Sequence, residues 1–328
     1  MREEDIRPQD LMLENQRLRE EDAKNITKYK NEFVLVPCPA CESNNYEFMF
    51  EKEDFSFVMC KDCETCFINP RPTIEKLAEF YENSKCLKHW KKFFSLTEHS
   101  RRKNIFEPRA ERVIYLCKKY NVSNNVLADI GAGFGTFCEE IKKFNYFRRI
   151  IAIEPSKDLA DACKRKGMDV IEKPIEKTDL EEVDVITNFE LIEHLFHPKD
   201  FVISCARALS KNGLFILTTP NIKGFDLLTL GKLSTNIAGP NHMNYFHTTS
   251  LSNLLQKCGF DIIETLTPGK LDAELVRKKV LNKEFSIDNQ PFLKYILIDE
   301  WERLGDSFQH FLSDHGLSSH LWIVARKK

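Results

Sequence analysis

Val126-Leu127-Ala128-Asp129-Ile130-Gly131-Ala132-Gly133-Phe134-Gly135-Thr136-Phe137 is the stretch on which the fold turns. A short apolar run ends in a carboxylate, crosses three alternating glycines and continues into Cys138-Glu139-Glu140-Ile141, which has helical spacing. This predicts a strand, a glycine turn and a helix start. Glycines accept positive φ and let a ligand come close to the main chain, and the helix start adds unpaired N–H groups. A nucleoside-like ligand is expected here. The dinucleotide fingerprint G-x-G-x-x-G holds a pyrophosphate, but here the third glycine comes one residue early and Thr136 stands where that fingerprint wants Gly. Asp129 would also repel phosphates. A ligand with a cation and no phosphate fits better.

Outward from the loop, strand and helix signals alternate. Ile150-Ile151-Ala152-Ile153 reads as a second buried strand ending in Glu154-Pro155-Ser156. Glu154 falls at the distance beyond Gly135 where an α/β nucleoside fold puts the acid that accepts both ribose hydroxyls. A short helix, 158–166, leads to a third strand, 169–171, and to Lys173-Pro174-Ile175-Glu176. A fourth strand, 183–188, ends in Asn188 and runs into Phe189-Glu190-Leu191-Ile192-Glu193-His194. Strand ends are where ligands meet such a sheet. Glu190, Glu193 and His194 have i, i+3, i+4 spacing, which on a helical turn places them on one face, as a general base with its orienter or as a hard-cation site. A helix over 201–209, a turn at 210–213 and a fifth strand at 214–221 complete the alternation. Together these predict an α/β, doubly wound sheet. Residues 260–266 and 319–326 read as the last two strands.

The acid-x-G-x-G-x-G motif at Asp129–Gly135 resembles the first motif of class I S-adenosylmethionine-dependent methyltransferases. The resemblance implies a Rossmann-like seven-stranded sheet whose sixth and seventh strands form a hairpin, with S-adenosyl-L-methionine as the cofactor. It places Asp129, Gly131, Ala132, Gly133, Gly135, Phe137, Glu154, Pro155, Ile175, Glu176, Asn188 and Phe189 around that cofactor, Ile175 against the adenine and Glu176 near its amine. It also makes Tyr81 and Trp90, on helices before the first strand, candidate walls of a substrate pocket. The Glu190/Glu193/His194 pattern is similar to that of quinone-biosynthesis O-methyltransferases, where the family uses it around a divalent metal. Pro240-Asn241-His242-Met243-Asn244-Tyr245-Phe246 resembles an acid-His-x-x-aromatic-Phe stretch of sugar C-methyltransferases that carry an N-terminal zinc domain. There His242 matches a histidine acting near the substrate. Asn241 replaces the acid, which favours O-methylation over C-methylation, because an oxygen-bound proton needs a weaker base. His194, His242, Glu190 and Glu193 are the candidate catalytic residues.

Ahead of this domain, Cys38-Pro39-Ala40-Cys41 and Cys60-Lys61-Asp62-Cys63 are two C-x2-C knuckles separated by the length of a short hairpin. Four thiolates on two tight turns match tetrahedral Zn2+, a structural metal for a ribbon too small to fold alone. Cys66 is a spare, either a buried thiol or a substitute ligand. Of the 11 cysteines, Cys117, Cys138, Cys163, Cys205 and Cys258 lie in segments that read as helices and suit reduced thiols. Arg101-Arg102-Lys103 is a solvated face or a grip for a substrate phosphate.

The expected layout is a helical arm at 1–33, a zinc ribbon at 34–72, a helical cap at 73–122, and a methyltransferase domain at 123–328. That domain carries a loop-rich insert suited to a lid at 222–240 and a helical insert at about 270–318. The arm and the helical insert are each a cover or a homodimer interface. A net charge of −2 argues against nucleic acid, no apolar run reaches membrane-span length, and the N-terminus lacks a signal-peptide core, so a cytoplasmic location is the default. The acceptor is expected to be a small molecule, sugar-like by resemblance. The competing readings are a zinc-ribbon RNA methyltransferase and a non-catalytic cofactor-binding scaffold.

Overall fold

The computed structural model describes residues 3–328. Its strands are β1 (Tyr46–Lys52), β2 (Phe55–Cys60), β3 (Cys66–Ile68), β4 (Val126–Ile130), β5 (Arg149–Ile153), β6 (Asp169–Ile171), β7 (Val183–Phe189), β8 (Leu209–Pro220), β9 (Asn244–Tyr245), β10 (Phe260–Leu266) and β11 (His320–Lys327). The chain divides into two compact units that interleave along the sequence, one of 1–96, 220–250 and 266–321, the other of 97–219, 251–265 and 322–328. The linear boundaries expected above differ from this division, because two stretches that follow the parallel strands pack with the N-terminal part of the chain.

The second unit holds the expected sheet, in the order β10-β11-β8-β7-β4-β5-β6. β4 pairs in parallel with β5 and with β7, which puts Ala128 between Ile151 and Ile186. The parallel strands are near-continuous apolar runs because both faces are covered. Leu127, Ala128, Ile151, Ile153, Val185, Ile186 and Leu214 to Leu217 are buried. Asp184, on β7, accepts from Asn125 N and Val126 N at 2.8 Å each and so fixes where β4 begins. The turn expected at 210–213 lies inside β8, with Asn212 at φ 66° and a register shift against Val183/Val185. β10 and β11 are neighbours in the sheet, as the hairpin arrangement requires.

The first unit is built on a four-stranded sheet, β1-β2-β3-β9. The expected two-stranded ribbon is thus extended by β3 and by a strand from far along the chain, with Cys66 opposite Tyr245 and Phe67 opposite Asn244. Phe50 stacks on Phe57 at 4.9 Å, and Phe57 meets Tyr245 at 6.0 Å. The helix Gln9–Thr27 is fastened to the body of this unit. Asp22 accepts from Ser84 Oγ (2.6 Å), Lys85 N (3.2 Å) and Cys86 N (2.8 Å), capping the helix Lys85–Arg101 from a distant part of the chain. The helical insert closes around Ala273, Val276, Ile287, Leu297 and Leu312, with Trp301 and Phe308 packed against them. Residues 222–240, expected as a lid, are tied down within this unit: Lys52 Nζ donates to Ser234 O at 2.9 Å and Arg19 Nη1 to Thr235 O at 3.4 Å.

Candidate functional site

In the second unit, Asp129 ends β4 as a buried carboxylate. Thr187 Oγ1 donates to its Oδ1 at 2.7 Å and the Cys138 thiol to its Oδ2 at 3.7 Å. Burial outweighs these bonds and pushes its pKa up to about 7. The glycine turn follows. Gly135 has φ 71° and starts the helix Thr136–Lys142, and a Cβ there would lie 2.6 Å from Met168 Sδ and 3.0 Å from Cys163 Sγ. Gly133 has φ 58°, and a Cβ there would meet nothing within 4 Å. The turn is therefore packed behind Gly135 and open in front of Gly133.

Glu154, at the end of β5, joins the two sides of the turn. Its Oε2 accepts from Gly133 N at 2.8 Å and its Oε1 from Ser156 N at 2.9 Å. Asn188, at the end of β7, donates from Nδ2 to Ile130 O at 2.9 Å, while its Oδ1 is buried and unpartnered. Phe189 crosses Phe137 edge to face at 4.8 Å. Ile175 is buried on its short turn, whereas Glu176 and Pro155 are exposed. An open backbone at Gly133, a clamped carboxylate beside it and an unsatisfied acceptor on the adjacent strand fit a nucleoside ligand with hydroxyl and ammonium donors.

Glu190, Glu193 and His194 do not share a helical face. Glu190 is left-handed at φ 54°, which breaks the helical spacing, and only Ile192–His194 forms a short helical turn. Thr218 Oγ1 donates to Glu190 Oε1 at 2.6 Å, and Thr219 Oγ1 to Glu193 Oε2 at 2.9 Å. His194 Nε2 lies 3.7 Å from Glu193 Oε1. Burial, with the Glu190 charge adding, holds the Glu193 carboxyl well above the usual range. The positive charge facing Glu190 is an arginine: Arg109 Nη2 lies 3.5 Å from its Oε1, with the guanidinium 4.7 Å from the Phe189 ring centre. Burial lowers the Arg109 pKa while the charges of Glu190, Asp129 and Glu193 oppose that. Arg109 is not among the site residues expected from the sequence. Its signal was position, since it lies i, i+4, i+7 with Val113 and Leu116 on the buried stripe of the helix Glu107–Lys119.

Arg102 is no grip for a substrate phosphate. Its guanidinium is taken up by Glu98 (2.5 Å), Glu139 (2.7 Å) and Glu140 (2.6 Å).

In the first unit, the two knuckles repeat one pattern. Glu42 N donates to Cys38 O and Glu64 N to Cys60 O, each at 2.9 Å, with Glu42 and Glu64 both left-handed. The repeat turns the four Sγ atoms of Cys38, Cys41, Cys60 and Cys63 to within 4.8 Å of one another. Cys38 and Cys63 are 3.4 Å apart, and Cys41 and Cys60 3.5 Å. A tetrahedron with metal–sulfur bonds of about 2.3 Å has corners about 3.8 Å apart, so the donor set fits a four-thiolate ion. Cys66 is a buried thiol outside this group, its pKa pushed up to about 12 by burial. His242 Nδ1 lies 2.9 Å from Asn236 O, and its ring is 6.0 Å from that of Tyr245. Trp90 packs against Phe93 and Phe94, and Tyr81 is half exposed against Phe80.

A model of the methyltransferase domain matches residues 98–265, a little over half of the chain. A probable S-adenosylmethionine-dependent methyltransferase of Mycolicibacterium smegmatis is 34% identical over 84 residues, 26% of this chain and 31% of that protein. A ubiquinone biosynthesis O-methyltransferase of Bradyrhizobium diazoefficiens is 30% identical over 112 residues, 31% of this chain and 44% of that protein. The chain thus spans 31–44% of the length of these curated relatives. An S-adenosylmethionine-dependent methyltransferase structure from Clostridium acetobutylicum covers 73% of this chain and 98% of its own at 10% identity, with a TM-score of 0.48. Among the described residues no helix is long and apolar enough to cross a membrane. With the domain model matched from the helices before β4 through β10, the chain belongs to the methyltransferase-domain family.

Proposed function

We propose that this chain transfers the methyl group of S-adenosylmethionine to an oxygen of a small, sugar-like acceptor. The observation that carries the cofactor assignment is the open backbone at Gly133 held against the Glu154 carboxylate. Glu154 accepts the ribose hydroxyls. Ile175 packs on the adenine, and Asn188 and Phe189 line the methionine side. Asp129 balances the positive charge of the ligand. S-adenosylmethionine supplies an electrophilic methyl on a sulfonium, and the chain supplies alignment and a base. An imidazole, His194 or His242, takes the hydroxyl proton as the acceptor oxygen attacks, and the C–S bond breaks to leave a neutral thioether. Glu193 orients His194, and Arg109 holds Glu190 beside it. The four-cysteine group holds a structural Zn2+.

The resemblance of the His242–Phe246 stretch to sugar methyltransferases supports a sugar acceptor, and the absence of basic excess agrees with it. The name of the ubiquinone relatives supports oxygen as the nucleophile, and it favours a phenolic acceptor as the second reading. The test is a screen with methyl-labelled cofactor against nucleotide sugars, free glycans and phenols. Label in a sugar pool supports the first reading, label in phenols alone supports the second, and label in neither removes the small-molecule acceptor.

A further inference from the structure

Residues 234–247 are fastened to the cysteine ribbon along their length, within one compact unit. Tyr245 Oη accepts from Ala238 N at 3.0 Å and donates to Asn236 O at 3.3 Å. A Cβ on Gly239 would fall 2.6 Å from Phe55 Cδ2, so the chain there lies flat on a ribbon side chain. Ile68 N donates to Met243 O at 3.0 Å, and Arg71, a buried guanidinium, donates to Asn244 Oδ1 at 3.2 Å. The last contact reaches a metal-binding knuckle. His247 Nε2 is 2.9 Å from Cys63 O. A carbonyl only accepts, so Nε2 carries the proton and donates it. The same logic applies to His242: Nδ1 donates to Asn236 O, which leaves Nε2 unprotonated in the neutral ring.

A four-cysteine ribbon of this size takes its order from the ion it binds. The stretch that it supports bears His242, with the tautomer fixed by a carbonyl in that stretch. We infer that metal occupancy of Cys38, Cys41, Cys60 and Cys63 sets the order of residues 236–247 and so the tautomer and position of His242, with His247 as the positioning residue that links the Cys63 knuckle to it. The inference rests on the reading of the cysteines as a zinc site and of His242 as the acceptor-side base. It gives the ribbon a role in the reaction without placing the metal at the reacting atoms.

Hydrogen exchange on the full chain tests the coupling, read in the zinc-loaded protein, after stripping by a chelator, and after Zn2+ is added back. Peptides over 236–247 should exchange at least about tenfold faster in the stripped protein and recover with Zn2+, while peptides over 126–130 and 272–281 keep their rates. His247→Ala should release Zn2+ to a chromogenic chelator about 10- to 100-fold faster, and His247→Gln, which keeps an N–H donor, should recover part of the difference. Unchanged exchange over 236–247 after the metal has left overturns the coupling while the zinc reading stands. Wild-type release from His247→Ala overturns the role of His247. If His247→Ala does not fold, the stripping experiment on the natural chain decides. A chain that takes up no Zn2+ overturns the metal reading and this inference together, and full activity in His242→Ala overturns the role of His242 alone.

Discussion

The glycine turn makes opposite demands at two positions, and a pair of alanine substitutions separates them. Gly135 and Gly133 are both left-handed, at φ 71° and 58°, so each alanine costs about 1 kcal/mol of backbone strain. At Gly135 the new Cβ also meets Met168 Sδ at 2.6 Å and Cys163 Sγ at 3.0 Å. The methionine end can swing aside and the buried Cys163 cannot do so freely, which adds roughly 1–2 kcal/mol. Gly135→Ala should therefore lose about 2–3 kcal/mol and melt roughly 5–10 °C lower, and Gly133→Ala should lose only about 1 kcal/mol. Cofactor affinity should depend on the open side of the turn. The Gly133→Ala methyl enters the open space at the turn, more than 4 Å from the Glu154 carboxylate, and binding of S-adenosylmethionine should weaken at least about tenfold despite the mild loss of stability. Thermal melts of the cofactor-free variants, paired with calorimetric titrations, read both quantities. Equal melting temperatures for the two variants would refute the packing argument, and wild-type affinity in Gly133→Ala would refute the assignment of the open face.

The buried Asp129 carries a pH signature. Its folded pKa, about 7, lies above the usual carboxylate value, so its stabilising contribution is complete below about pH 4 and is lost as pH rises through 7. Against Asp129→Asn, the cofactor-free natural chain should lose up to about 1.4 kcal/mol per pH unit between about pH 4 and pH 7 and level off above it, read by denaturant melts from pH 4 to 9, and a pH-independent difference would show that the carboxylate titrates elsewhere. Metal analysis of freshly purified protein should find one zinc per chain, with Cys41→Ser or Cys60→Ser reducing it, and a zinc-free chain would remove the ribbon's metal. Filter binding to RNA across a salt series should show weak binding with a shallow salt slope. Tight, steeply salt-dependent binding would replace the small-molecule acceptor with a nucleic acid.

The parallel sheet was legible in the sequence because its signals are local. The apolar runs at 127–130, 151–153 and 214–217, with glycines and an acid at fixed distances, lie where β4, β5 and β8 form. The four-cysteine group was legible for the same reason, since two knuckles state their own spacing. Long-range pairings escaped. Nothing at 244–245 announced a strand that would extend a ribbon formed much earlier in the chain, and nothing at Asp22 announced a cap for the helix beginning at Lys85. The Glu190, Glu193 and His194 spacing misled because it assumed a helix, while Glu190 adopts φ 54° and turns to Thr218 and Arg109. Arg109 was overlooked because a charge on a buried stripe is informative only when its partners, here Phe189 and Glu190, are known.

Titration of S-adenosylmethionine into the full chain, natural and Glu154→Gln, tests the central claim most directly. The account predicts one site per chain in the natural protein and an affinity at least about tenfold lower in the variant, whose neutral amide can no longer accept the ribose hydroxyls with both oxygens while serving Gly133 N and Ser156 N. No measurable binding to the natural chain, or equal affinity in the two proteins, would contradict it.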